Sequence, residues 1–154
     1  MKKLICLSTL SLAIATMSVP AIAQGQQIQY DESAPRISST SGLPDRHFIS
    51  LYTGEQPLSS ITIRPSDVMG IGENIQVTDE SGQTIDAQVN TENDRVTINF
   101  AQPVAAGTTL EIAMMDLAFT EPMPAGRVFH YQVSGEHVGM AREIPYGVAR
   151  IQVF

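Results

Sequence analysis

Cysteine, lysine and tryptophan are almost missing from this chain, and each absence removes a class of function. The single cysteine is Cys6, so the remainder has no disulfide, no thiol nucleophile and no thiolate metal site. Cys6 also falls too early for a lipoprotein cleavage site, which argues against a lipid anchor. The only lysines are Lys2 and Lys3. Everything beyond them carries seven arginines against sixteen acidic residues, a net charge near −9. A nucleic-acid-binding protein carries a basic patch as its footprint. The arginines at 36, 46, 64, 95, 127, 142 and 150 are scattered singly, so nucleic acid and anionic membrane surfaces are poor partners. Tryptophan is absent and no stretch repeats with a sustained helical period.

What is present begins with the leader. Lys2 and Lys3 precede an apolar run from residue 4 to 19, and Ala21-Ile22-Ala23 supplies small residues at the −3 and −1 positions. That three-part layout is a secretory signal peptide over residues 1–23, with cleavage between Ala23 and Gln24. The run is shorter than the roughly 20 residues of a membrane span, so the exported protein is expected not to span a membrane once the signal is removed. Cleavage leaves 131 residues, a typical single-domain length able to bury its own core without a disulfide staple. The expected location is the periplasm or the extracellular space.

Residues 24–46 read as a polar N-terminal arm rich in Gln, Ser and Pro, extended or loop-like over much of its length, with Ile28, Tyr30 and Ile37 able to dock as edge-strand contacts. From His47 to Phe154 short alternating segments follow one another, separated by turn residues. Segments 47–53, 59–64 (Ile61, Ile63), 74–78 (Ile75, Val77), 84–90 (Ile85, Ala87, Val89) and 95–100 (Val96, Ile98, Phe100) each have one apolar face. So do 108–119 (Leu110, Ile112, Met114), 127–134 (Phe129, Tyr131, Val133) and 147–153 (Ala149, Ile151, Val153). Pro65 to Gly70 is read as a single helical turn, and Asp79 to Gly82 as a hairpin turn. About eight short strands with one apolar face apiece predict an all-β protein, an immunoglobulin-like β-sandwich over 47–154. A lipid-facing barrel is excluded: counting back by twos from Phe154 places Gln152 and Arg150 on the outward row.

Four stretches carry a family resemblance: Ala34-Pro-Arg-Ile37; Pro57-Leu-Ser-Ser-Ile-Thr-Ile63; Arg95-Val-Thr-Ile-Asn-Phe-Ala-Gln-Pro-Val104 with Ala106-Gly-Thr-Thr-Leu-Glu-Ile112; and Tyr146-Gly-Val-Ala-Arg-Ile-Gln-Val-Phe154. On these the chain resembles a domain-of-unknown-function family of secreted bacterial proteins, mainly cyanobacterial. The resemblance implies export and a β-rich fold, and it brings no catalytic residues. Between Ile63 and Ile75 this chain is shorter than the family pattern.

Catalytic motifs are missing. There is no Gly-x-Ser-x-Gly, no His-Glu-x-x-His and no phosphate-binding glycine loop. Met69-Gly-Ile-Gly72 is read as a turn, and Asp79, Glu80, Glu92 and Asp94 as turn carboxylates. No catalytic residue and no cofactor is therefore assigned, and the protein is expected not to be an enzyme. Metal binding is the sharper alternative, since imidazole and thioether ligands suit copper. His130 alternates with Val128 and Gln132, away from the core side of its strand, and His137 follows in a looser segment that could turn back to share a site. These two are the candidate metal ligands, with Glu136 and Met140 nearby. Against them, Met114 is in phase with the core, Met69 and Met123 border turns, and His47 heads a strand where exposure is expected. The leading expectation is thus a non-enzymatic binding or structural module of the cell envelope, its partner an envelope protein or glycan. A periplasmic copper-binding protein is the alternative.

Overall fold

The computed structural model describes residues 31–66, 69–92, 94–119 and 126–154. The stretch read as a signal peptide, with its expected cleavage between Ala23 and Gln24, and the first residues of the arm lie outside the described residues. Alternating apolar positions produce strands throughout: β1 (Arg36–Leu43), β2 (Arg46–Tyr52), β3 (Leu58–Pro65), β4 (Met69–Ile71), β5 (Ile75–Asp79) and β6 (Ala87–Glu92) come first. They are followed by β7 (Arg95–Val104), β8 (Thr109–Met114), β9 (Leu117–Phe119), β10 (Val128–His137) and β11 (Ile144–Gln152). One antiparallel sheet has the order β1-β2-β8-β5, a second the order β11-β10-β3-β7-β6, and β4 pairs with β9 in a short ribbon. Non-consecutive neighbours in both sheets mean that the chain crosses repeatedly from one layer to the other. The result is an immunoglobulin-like β-sandwich.

The core is the set of in-phase residues. Ile49 and Leu51 of β2, with Leu110, Ile112 and Met114 of β8, face Ile61, Ile63, Val96, Ile98, Phe129, Tyr131 and Ile151 of the other sheet, all buried. Burying each such large side chain is worth about 1.5–3 kcal/mol. Because antiparallel strands repeat every two residues, the opposite faces are left to polar side chains.

Local differences from the sequence reading have physical causes. First, the four-stranded sheet reaches into the stretch read as a polar arm. Arg36 to Leu43 pairs along β2, Thr40 Oγ1 donates to the Arg150 carbonyl at 2.8 Å, and Gly42 sits against Ile151 and Val153. An edge strand gains from its backbone ladder and needs few apolar side chains. Second, the 108–119 segment is two strands rather than one, because Gly72 N–H donates to the Asp116 carbonyl at 2.7 Å and leads the chain into the ribbon. The helical turn expected over 65–70 falls partly outside the described residues; its start, Pro65, closes β3, and its end, Met69 and Gly70, lies in β4. Third, His47 is fully buried rather than exposed. The alternation that turns Ile49 and Leu51 inward does the same to His47, two positions earlier.

Candidate functional site

The outer face of the five-stranded sheet is assembled by register into rows that run from strand to strand. In one row Ser134 of β10 lies opposite Thr62 of β3, Thr62 opposite Thr97 of β7, and Thr97 opposite Asn90 of β6. The adjacent row runs Glu136, Ser60, Asn99, Gln88. On the other side, Val148 of β11 pairs with Gln132, and Gln132 with Arg64. Ile63 pairs with Val96, so Arg64 and Arg95, one step further along, stand beside each other on neighbouring strands. Arg95 in turn pairs with Glu92. Beyond this row His130 pairs with Arg150. Successive strands are about 4.8 Å apart, so a row of four residues spans roughly 14 Å.

Glu143, from the segment before β11, lies over this face. It accepts hydrogen bonds from Thr62 Oγ1 at 2.8 Å and from Ser134 Oγ at 2.9 Å, and Arg64 Nη2 is 3.9 Å from its Oε2. Burial works to raise its pKa, but the two hydroxyl donors and the charges of Arg64 and Arg95 outweigh it and leave the carboxyl below its ordinary value. The contact to Arg64 is too long for a hydrogen bond. Two adjoining clefts meet at Arg64. One, of about 410 Å3, is lined by Pro65, Ser66, Asp94, His130, Gln132 and Val148 as well as Arg64. The other, of about 380 Å3, is lined by Arg64, Glu92, Asp94 and Arg95.

A separate cleft of about 320 Å3 on the four-stranded sheet has Asp79, Glu80 and Glu111 in its lining. Two of these are engaged by their own surroundings. Asp79 Oδ1 accepts from Ser81 N–H, the Ser81 hydroxyl and Gln83 N–H, which holds its pKa below the usual value, and Glu80 Oε1 accepts from Thr109 N–H.

The two candidate metal ligands do not come together. Both lie on β10, seven positions apart and on opposite faces, about 23 Å along the strand. His130 is exposed, while His137 is 2% exposed. His137 Nδ1 is 3.0 Å from the Gln56 carbonyl, which can only accept, so Nδ1 carries the proton. Nε2 then accepts from the Tyr146 hydroxyl at 2.9 Å, and no lone pair is left for a metal. β10 continues through His137 before the chain turns, so His137 does not fold back toward His130. Met69 and Met114 are buried in the core and Met140 is exposed, while Met123 lies outside the described residues. Among the described residues no three His, Cys, Asp or Glu side chains cluster in a way that could hold a metal ion.

At the opposite end of the core, His47 Nδ1 is hydrogen-bonded to the Tyr131 hydroxyl, joining the two sheets, and its ring packs 4.9 Å from that of Phe129. Its Nε2 is buried without a partner. Burial alone pushes the imidazole pKa down to about 4 and the Tyr131 phenol upward.

Sequence reasoning did not single out Arg64, Arg95 or Glu143. Their convergence depends on β3 lying between β10 and β7, an order set by crossovers that leave no local trace. The chain matches no protein-family model and no curated protein. Among solved structures, it is similar to the collagen-binding domain of a Staphylococcus aureus adhesin, at 12% identity and TM-score 0.43 over 75% of this chain and 93% of that one. It is also similar to the collagen binding subdomain of the Enterococcus faecalis surface protein ACE, at 12% identity and TM-score 0.45, covering 75% and 94%. The major pilin subunit BcpA of Bacillus cereus gives 12% identity and 0.46, covering 78% and 40%. TM-scores below 0.5 at such identities carry no ligand or activity over to this chain.

Proposed function

We propose that this is an exported, non-enzymatic binding module of the cell envelope, which engages its partner through the outer face of the five-stranded sheet. The observation that carries this reading is the gathering of Arg64, Arg95, His130 and Arg150 among the carboxylates Glu92, Asp94 and Glu143 at one end of that face. The carboxamides of Gln132, Asn99, Gln88 and Asn90 beside them are exposed and offer donors and acceptors over an extended area. Such an area suits a partner lying along the sheet better than a small molecule enclosed in a pocket. Exposed Val138, Met140 and Val148 lie on the segments bordering the face and add apolar contact.

The test is capture from envelope extract on the exported protein, compared with the Arg64→Glu/Arg95→Glu variant. The expected result is an envelope component retained by the first and lost by the second. Equal retention by both would move the binding surface elsewhere on the sandwich. Sequencing the N-terminus of the exported protein should begin at Gln24; a start at Met1 would remove the export premise.

A further inference from the structure

We propose that the free edge of β6 is a docking site for an extended segment of another protein, which adds to the five-stranded sheet as a sixth, antiparallel strand and sets a basic side chain against Asp86. This goes beyond the outer-face reading, because it uses backbone groups of β6. Ala101 N–H donates to the Asp86 carbonyl at 3.0 Å, and Ala87 to Glu92 follow in unbroken register with β7. Bonded pairs alternate in an antiparallel ladder, so Asp86, Gln88, Asn90 and Glu92 turn their backbone groups to β7. The N–H and C=O groups of Ala87, Val89 and Thr91 therefore point out from the sheet, and among the described residues none of them has a backbone partner. The other edges are covered: β1 lies along β11, with Thr40 bonded to the Arg150 carbonyl, and residues 83–85 bond to Val77 and Asp79 of β5. β6 carries none of the usual guards of an edge, having no proline, no lysine or arginine and no bulge.

The edge also defines its occupant. Outward N–H and C=O groups that repeat every two residues, about 6.8 Å, are matched by another extended backbone. Ala87, Val89 and Thr91 are half-buried on the inner side, so apolar side chains opposite Ala87 and Val89 would continue the core-facing row. Thr91 Oγ1 is buried without a partner, and a hydroxyl directly opposite it is within reach. Before the start of β6, exposed Asp86 is the one charged group in a cleft of about 310 Å3 lined also by Gln83, Thr84, Ile85, Ala101 and Gln102. It forms no ion pair among the described residues, and a lysine at that end of the incoming strand completes one. A second copy of the chain fits worse. Two-fold pairing about Val89 aligns all three outward residues but sets Glu92 of each copy opposite Asp86 of the other, and any shift of register shortens the ladder. The partner is a different segment, basic where this edge is acidic.

The test is a nuclear magnetic resonance titration of the exported protein with the capped peptide Ser-Thr-Gln-Val-Thr-Val-Lys, written to run antiparallel with its serine opposite Glu92 and its lysine opposite Asp86. Hydrogen exchange at the Ala87, Val89 and Thr91 amides should slow on binding, while the Gln88 and Asn90 amides, already bonded to β7, change little. Methylating the backbone nitrogen of the peptide's central valine should weaken binding about tenfold or more, with the protein itself untouched. Val89→Pro should do the same from the other side; it removes an outward N–H and no ladder bond, so its thermal midpoint should stay close to that of the parent. Exchanging the peptide's lysine for glutamate should weaken binding, and Asp86→Lys should restore it. Equal binding of the methylated peptide overturns strand addition, as does binding that leaves the three amides unchanged. Indifference to the lysine exchange overturns the part given to Asp86. Absence of binding at millimolar peptide overturns the proposal, and self-association of the protein alone that Val89→Pro abolishes would make a second copy the occupant instead.

Discussion

His47 shows what one buried titratable side chain imposes on a small sandwich. Its ring is fully buried, it shares a hydrogen bond with Tyr131 across the two sheets, and burial lowers its pKa from 6.5 to about 4. The folded protein therefore holds the neutral ring in a range where the unfolded chain takes up a proton. Between pH 6.5 and 4 the unfolded state binds more protons, so stability is full above 6.5 and falls as the pH drops through that window. The loss from this residue is up to roughly 3 kcal/mol. Urea titrations at pH 7.5 and 4.5 should show it, and His47→Gln should flatten most of the difference; an unchanged pH slope in that variant would mean that other groups set it. Tyr131→Phe removes the hydroxyl and leaves Nδ1 unpaired, an expected cost of about 1–3 kcal/mol at neutral pH. The burial of His47 was legible in its phase with Ile49 and Leu51; the polarity of histidine at a strand start pointed the other way. By contrast, the outward side of His130 was correctly legible from the same kind of alternation, because Phe129, Tyr131 and Val133 mark the inner face strongly.

Strands differ in how much of themselves the sequence discloses. Those with three in-phase apolar residues, such as β7 and β10, were legible to within a few residues, because burial on one face demands alternation. β1 was not, since Ser39, Thr40 and Ser41 bury little, and its place is secured by pairing with β2 and by contact with β11. The consequence is measurable at Gly42. A methyl there would meet Ile151 Cγ2 closer than atoms can approach, with the His47 ring and Val153 each at 3.1 Å. Gly42→Ala should lower stability by about 1–3 kcal/mol, and hydrogen exchange should speed up first in β1. A similar squeeze on β10 comes from Tyr146 and Leu58, at 2.7 and 2.8 Å from a Cβ built on Gly135. Gly135→Ala should disturb the Tyr146–His137 hydrogen bond, read as a shifted His137 ring resonance. Normal stability in Gly42→Ala would mean that β1 is held more loosely than its contacts imply. The arginine cluster illustrates the other limit of legibility. Arg64 and Arg95 are 31 positions apart, and neither has a sequence neighbour that hints at the other. Only the β10-β3-β7 order makes them adjacent.

Across the whole molecule, the two sheets share a single apolar cluster. Leu110 and Ile112 from one sheet and Ile61, Ile63 and Ile98 from the other belong to the same buried set, and neither sheet has a core of its own. Hydrogen bonds tie the layers at separate places: Thr40 to the Arg150 carbonyl at one side, and the His47–Tyr131 pair within the core. A sheet that separated from its partner would expose its whole apolar face, so partial unfolding by layers is disfavoured and one cooperative transition is expected. Leu110→Ala, in the four-stranded sheet, and Ile98→Ala, in the five-stranded sheet, should each cost about 2–5 kcal/mol. Both should shift the same urea transition without splitting it. Tyrosine fluorescence and far-ultraviolet circular dichroism follow different parts of the structure, with no tryptophan to dominate the first. Coincident curves in both variants would establish that the layers unfold together. Separate transitions would mean that one sheet survives alone, and the polar outer face would then need support from something other than the shared core.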